Sequence, residues 1–339
     1  MMRLPVLQHH RPTSLEQALT LANDGARFVA GGTDLLPKLK RRQYDASALI
    51  SLGGVRELSV FEQDAGGWTI GAGVRLVELA RSEALRASHP ALWQAAIQVA
   101  SPVIRSTATL GGNLCVDTRC FWWDQTEPWR LAAGSCMKRD RDVVCRVAPN
   151  SPRCWAVSST DTAPALGVLD ATVRLVSRNG ERRIPLAELY VDDGIDYLTL
   201  RPGEILVDVR VPTATGRSAF WKIRRRQSID FALLSAAVLI ELHDGVVTRA
   251  KIGLGAVGSC PLFPADAEAL LVGSRLGDED IEAAGKAAAK HSRPMETSDM
   301  PSSWRRRVLP VAVRHALREV RGDDVSEARL RYGRQVVLD

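Results

Sequence analysis

The chain has 339 residues, 45% of them hydrophobic and 25% charged, with 45 Lys and Arg against 39 Asp and Glu for a formal net charge of +6. That is ordinary globular composition with room for two to three domains, and it excludes the disordered, collagenous and disulfide-scaffold classes. The basic surplus suits nucleic acid, an acidic protein partner or anionic cofactors and selects none of them, while the lack of any run of about 18 apolar residues speaks against a membrane span.

The start, Met1 to His10, carries no apolar signal region and no small-residue cleavage site, so a cytoplasmic, reducing compartment is expected. Thr13-Ser14-Leu15-Glu16 reads as a capping box, and Leu15, Ala18, Leu19 and Ala22 recur at helical spacing until Asn23-Asp24-Gly25. Arg27 to Ala30 is a strand candidate that runs into Gly31-Gly32-Thr33-Asp34 and a helix from Leu35 to Arg42; Ala48 to Leu52 is the next strand. A strand ending in a glycine pair before a helix lets backbone N–H groups close on an anion. Trp68 to Val74 reads as a strand, Leu76 to Leu85 as a short helix, Pro90 to Ala100 as an apolar helix, and Thr109-Leu110-Gly111-Gly112-Asn113 as a second glycine turn.

Residues 118–158 differ from both flanks. They hold four cysteines, four of the eight Trp, three Pro and seven basic residues against four acidic. Low periodicity with many breakers predicts an insert organised by something other than a hydrophobic face. Beyond it, Thr172 to Ser177 and Ile205 to Val211 read as strands, Ser235 to Leu242 and Thr248 to Val257 as a hairpin around His243-Asp244-Gly245, and Ala267 to Leu271, Asp278 to Ala289 and Trp304 to Arg321 as helices.

Five of the six cysteines fall within forty consecutive residues. In a reducing compartment such crowding points to metal binding or redox chemistry before disulfides. Cys120, Cys136, Cys145 and Cys154 are separated by 15, 8 and 8 residues. Four thiolates suit an iron–sulfur cubane or a structural zinc, and the absence of close Cys-x(2–4)-Cys pairs favours iron–sulfur; four unligated buried thiols are the plainest alternative. Arg119, Lys138, Arg139, Arg141, Arg146 and Arg153 lie beside these positions and would offset a cluster's negative charge, or else form a solvated face. Cys115 and Cys260 stand outside the spacing and read as packing thiols.

Neither glycine pair fits G-x-G-x-x-G or the P-loop. Each alone is a plain tight turn; together, each followed by a polar side chain (Thr33, Asn113), they suit a pyrophosphate gripped from two sides, with Lys222 as an added cation or, with Arg224 to Arg226, an exposed edge. The six His show no metal spacing and no G-x-S-x-G elbow occurs. The basic residues Arg305 to Arg307, Arg314, Arg318 and Arg321 share a helical stretch with few aromatics, so a solvated or subunit-facing helix is expected rather than a nucleic-acid surface.

Ala30-Gly31-Gly32-Thr33-Asp34, Thr109-Leu110-Gly111-Gly112-Asn113, Asp161-x-Ala163-Pro164-Ala165-Leu166 and Lys222-x-x-x-Arg226 with Asp230-Phe231 together resemble the FAD-binding medium subunits of molybdenum hydroxylases, the xanthine dehydrogenase and carbon monoxide dehydrogenase group. In that family a short connection joins the second and third motifs, whereas Asn113 and Asp161 are 48 residues apart here. The excess is the cysteine segment, which resembles the insert of the 4-hydroxybenzoyl-CoA reductase β subunit that carries an additional [4Fe–4S] cluster. The resemblance implies an α+β fold of vanillyl-alcohol-oxidase (PCMH) type: 1–55 as a first FAD-binding lobe, 56–215 as a second that includes the 118–158 insert, 216–325 as a C-terminal α/β domain, and 326–339 as a tail. It further implies an FAD pyrophosphate held by Val29, Ala30, Gly31, Gly32, Thr33, Asp34, Leu35 and Leu36 and by Thr109, Leu110, Gly111, Gly112 and Asn113. Asp161, Leu206, Lys222 and Ser101 would touch other parts of the cofactor. A more polar residue is expected where Val103 stands.

By the same resemblance, no substrate chemistry occurs on this chain. Electrons from a ferredoxin would enter at the insert, cross FAD and the [2Fe–2S] clusters of a small subunit, and reach molybdopterin in a large subunit, in a dimer of heterotrimers that dehydroxylates 4-hydroxybenzoyl-CoA to benzoyl-CoA. A related dehydrogenase acting oxidatively on another aromatic or heterocyclic compound is the second expectation, and a zinc-stabilised scaffold without redox activity is the alternative from another class.

Overall fold

The computed structural model describes residues 3–226, 228–298 and 300–333; Met1, Met2 and the last part of the expected tail, 334–339, lie outside the described residues. Three sheets follow one another along the chain. The first is parallel, with β1 (Gln8–His10) and β2 (Ala26–Val29) flanking β3 (Ala48–Ser51) in the order β1-β3-β2. β1 was not evident in the sequence, since three residues are too short to show an alternation. Its entry helix, Leu15–Leu21, is capped one residue later than the sequence suggests: Ser14 Oγ accepts from Gln17 N, and Gln17 Oε1 accepts from Thr13 N.

The second sheet has five strands, β4 (Phe61–Asp64), β5 (Gly67–Gly71), β6 (Thr172–Ser177), β7 (Gly180–Pro185) and β8 (Ile205–Pro212), in the order β4-β5-β8-β6-β7, and its pairs are all antiparallel. The Pro90–Ile97 helix, with Ala91, Leu92, Ala95 and Ala96 buried, belongs to the core beneath it. The stretch from Leu76 to Leu85 is two helices rather than one, Leu76–Arg81 and Glu83–Ser88, because Ser82 takes a β conformation and caps the second through Leu85 N.

The third sheet, β9 (Arg217–Ile223), β10 (Leu234–His243) and β11 (Val246–Gly255), is an antiparallel meander. Its strands share a separate core with the Asp278–Lys290 and Ser302–Arg321 helices. Arg305 departs from the expectation of a solvated or subunit-facing helix, since it is buried and donates to the Met295 carbonyl, while Arg306 and Arg307 are exposed. Among the described residues no helix is long and apolar enough to cross a membrane.

The cysteine insert leaves and rejoins this frame at one point. Arg119 and Val157 form an isolated antiparallel bridge, exchanging two backbone hydrogen bonds of 2.7 Å each. Between them the only helix is Glu127–Ala133, and a small cluster of Cys120, Trp123, Cys154 and Ala156 forms the insert's own interior.

Candidate functional site

The two glycine loops are packed against each other. A Cβ on Gly31 would lie 2.1 Å from the Thr107 carbonyl oxygen, so only glycine allows this backbone approach. Gly32 has φ of +68°, a left-handed conformation that L side chains rarely adopt. The second loop is the first turn of a short helix, Leu110–Leu114, rather than a free turn, with Thr109 Oγ1 accepting from Gly112 N. Backbone bonds from Leu110 N to Val74 O and from Gly111 N to Ala72 O tie it to the end of β5. Thr33 and Gly112 are exposed on the lip of this junction, while Val29, Thr109, Leu110, Gly111 and Asn113 are buried behind it; Ala30, Gly31, Gly32, Asp34, Leu35 and Leu36 are intermediate. Glycines that let two backbone loops meet, with Thr33 and Gly112 open at the lip, fit a phosphate-bearing cofactor held by backbone N–H groups.

Two side chains expected at the cofactor are engaged within the protein. Asn113 Oδ1 accepts from Thr160 Oγ1, Thr162 N and Thr162 Oγ1, so this side-chain oxygen stitches the loop to the Thr162–Val168 helix. Lys222 is fully buried on β9 and pairs with Asp161 at 2.6 Å, also donating to the Gln98 carbonyl at 3.1 Å, so it is neither the pyrophosphate's cation nor an exposed edge. Burial drives the Asp161 carboxyl up against the pull of Lys222, and drives Lys222 down against the pull of Asp161. The second oxygen of Asp161 is buried without a partner, as is Arg224 Nε. A buried acceptor and a buried donor left open within the protein are available to a polar ligand. Ser101 is spent as the cap of the Pro102–Arg105 helix, Leu206 is buried on β8, and Val103, where a polar residue was expected, is 79% exposed.

The cysteines converge. Cys120, Cys136, Cys145 and Cys154 line one small cavity of about 10 Å³, together with Trp122, Trp123, Met137, Lys138, Arg146, Val147 and Ala156. Burial pushes the Cys120 thiol up to about 12; a hydrogen bond from Cys154 holds Cys145 down, and the Cys154 thiol is itself raised by that bond and by burial. Among the described residues no three His, Cys, Asp or Glu side chains converge as a single metal ion requires. The four thiols share one cavity wall, a donor set whose chemistry suits an iron–sulfur cluster. Cys115 and Cys260 lie outside the cavity with thiols raised by burial to about 12, which keeps both protonated.

Most basic residues of the insert fasten it rather than face the cysteines, which corrects the expectation that they all offset a cluster. Arg119 pairs with Asp34 and Asp124. Arg130 donates to the carbonyls of Arg41 and Arg42. Arg141 and Arg153 pair with Asp196 and Asp192. Only Lys138 and Arg146 line the cavity. The Asp34–Arg119 pair joins the first glycine loop to the residue preceding Cys120, so the two candidate sites are one salt bridge and one peptide apart.

Two parts of the site escaped sequence reasoning. Lys38 and Lys138 both contact Asp117, at 2.6 Å each, and all three are almost wholly buried. The loop Asp192-Asp193-Gly194-Ile195-Asp196 receives the insert: Gly194 N donates to Cys154 O, and its carbonyl accepts from Thr118 Oγ1 and Lys138 Nζ. Three carboxylates around a glycine, facing an Arg-rich insert, were the available signal.

Comparison with known proteins now defines the class. Residues 5–214 match the family described as the FAD binding domain in molybdopterin dehydrogenase, and residues 218–320 match the CO dehydrogenase flavoprotein C-terminal domain, so the fold is a mixed α/β flavoprotein of PCMH type. The chain belongs to the FAD-binding medium-subunit family of molybdenum hydroxylases. It is 35% identical over 263 residues to the aldehyde oxidoreductase FAD-binding subunit PaoB of Escherichia coli, covering 74% of this chain and 80% of that one. It is 30% identical over 322 residues to the 6-hydroxypseudooxynicotine dehydrogenase complex subunit alpha of Paenarthrobacter nicotinovorans, covering 93% and 95%. A crystal structure of Cu,Mo-CO dehydrogenase superposes with a TM-score of 0.76 at 25% identity, over 94% of this chain and 99% of that one. As in those relatives, this chain is a subunit of an oxidoreductase whose catalysis lies on a partner.

Proposed function

We propose that this chain is the electron-transfer subunit of a molybdenum hydroxylase-type holoenzyme, holding FAD between its lobes and a [4Fe–4S] cluster on Cys120, Cys136, Cys145 and Cys154. The carrying observation is that four cysteines spread over 35 residues line one cavity in an otherwise weakly structured insert. FAD exchanges electrons singly or in pairs, so it joins one-electron centres to two-electron chemistry. Val29 to Leu36 and Thr109 to Asn113 cradle the pyrophosphate by backbone; Asp161 and Arg224 present a buried acceptor and donor; Leu206 and Ser101 would lie against other parts of the cofactor. The insert lies at the molecule's surface with Phe121, Leu131 and Val144 exposed, which suits electron exchange with a soluble carrier such as ferredoxin. A molybdopterin large subunit and a [2Fe–2S] small subunit complete the complex, as a dimer of heterotrimers.

The substrate belongs to the large subunit. The insert's likeness to the 4-hydroxybenzoyl-CoA reductase β subunit favours reductive dehydroxylation; the 35% identity to an aldehyde oxidoreductase subunit favours oxidation of an aldehyde as the second reading. Assaying the purified holoenzyme with 4-hydroxybenzoyl-CoA and a reduced low-potential donor, and with aldehydes and an oxidised acceptor, decides between them. For the cofactors, anaerobically purified protein should show flavin bands above a broad iron–sulfur shoulder. Cys136→Ser should lose cluster iron and keep FAD; a colourless, zinc-containing protein would sink the proposal.

A further inference from the structure

Lys138 follows Cys136 by two residues and is one of two cations lining the cysteine cavity, the other being Arg146. They differ in setting. Arg146 is exposed, where solvent and salt screen its charge. The Lys138 side chain is 4% exposed, and its ammonium donates to Asp117 Oδ1 at 2.6 Å, to Thr118 Oγ1, and to the Gly194 carbonyl at 2.6 Å. With the Thr118 carbonyl also at 3.5 Å, every N–H of the ammonium has an acceptor, so the charge is fixed in place rather than free to swing to water.

That charge is only partly cancelled. Asp117 is shared with Lys38, and Asp124 lies 3.5 Å from Lys38 and 3.3 Å from Arg119, which also pairs with Asp34. Three cations and three carboxylates thus form a formally neutral network. Asp34 belongs to the flavin loop, Asp124 accepts from Cys120 N at 3.2 Å, and Lys138 is the member of the network that lines the cysteine cavity.

We infer that Lys138 is a positioning residue for electron transfer that raises the reduction potential of the cluster on the four cysteines, an inference that rests on the cluster reading given above. Reduction adds one electron to an already anionic group, and a fixed cation in a water-poor cavity favours the more negative state. The electron arriving from the soluble carrier would then find an acceptor biased toward accepting it, one salt-bridge network away from the flavin loop.

The test is a redox titration of the holoenzyme followed by low-temperature EPR, with iron and FAD counted per chain. Lys138→Met should shift the cluster potential negative, Lys138→Arg should leave it near wild type, and Asp117→Asn, which removes the opposing charge, should shift it positive. Opposite signs with full iron are the signature of charge. Equal potentials in wild type and Lys138→Met at full iron overturn the role of Lys138 alone, as do shifts of the same sign in the Met and Asn variants, which mark water entry. A wild-type holoenzyme without iron on this chain overturns the cluster assignment itself.

Discussion

Burying Asp161 against Lys222 costs two desolvations that one 2.6 Å contact repays only while both partners remain. Lys222→Met strands a carboxylate in the core and should cost about 3–5 kcal/mol of stability in urea unfolding, with flavin absorbance per chain falling too. Asp117 obeys a different balance. Burial opposes its ionisation, but the charges and hydrogen bonds of Lys138 and Lys38 outweigh that and hold its carboxyl well below the ordinary range. A folded-state pKa below the unfolded value of about 3.9 means that stability is fully present above that pH and is lost as pH falls through the folded value. The insert should therefore stay docked at neutral pH and loosen in acid, and Asp117→Asn should flatten the acid limb of a stability-versus-pH curve measured by denaturant unfolding. At this scale the glycine pairs and the cysteine spacing were legible because each is a short string whose meaning is local. The triad of Lys38, Asp117 and Lys138 was not, because Lys38 and Asp117 stand 79 residues apart and no periodicity connects them.

Among elements, the 192–196 loop matters most to the cysteines and was least visible beforehand. Its glycine has an ordinary backbone conformation, so the requirement comes from crowding: a Cβ on Gly194 would lie 2.7 Å from Cys154 Sγ and 2.6 Å from Ala156 N. Gly194→Ala should push the fourth thiol off the cavity wall and lower iron per chain while leaving FAD bound; unchanged iron would show that the wall yields. Element boundaries read from the sequence were mostly right where an apolar face recurred, as in Pro90–Ile97 and β10. They failed where a capping side chain decided, as at Ser82, or where a glycine pair entered a helix, as at Leu110–Leu114. Capping competes with periodicity over one or two residues, which is below what a hydrophobic pattern resolves.

On the scale of the molecule, the insert is a lobe grafted at one bridge. Arg119 and Val157 are a hydrogen-bonded antiparallel pair, whose Cα atoms lie about 5.5 Å apart, a gap a two-residue turn closes. Excising 120–156 and joining the two ends through Gly-Gly removes Lys138 and Asp124 together, one charge of each sign. The frame keeps Lys38 with Asp117 and Arg119 with Asp34, so neither buried pair is left unbalanced. What is lost is contact and pairing at the docking face: Tyr44 and Ile195 surrender their apolar partners in the insert, Asp192 and Asp196 lose Arg153 and Arg141, Gly194 loses Cys154 O and Lys138, Gln43 loses the Trp123 carbonyl, and the Arg41 and Arg42 carbonyls exchange Arg130 for water. None of these groups belongs to the glycine loops or to the Asp161–Lys222 pair. The excised chain should fold, bind FAD at the wild-type stoichiometry and contain no iron, as measured by flavin absorbance and metal analysis. Retained flavin without iron would mean that the frame is an ordinary medium subunit and the insert an added electron port; loss of flavin would mean that Arg119 holds the first glycine loop only when the insert fixes its position.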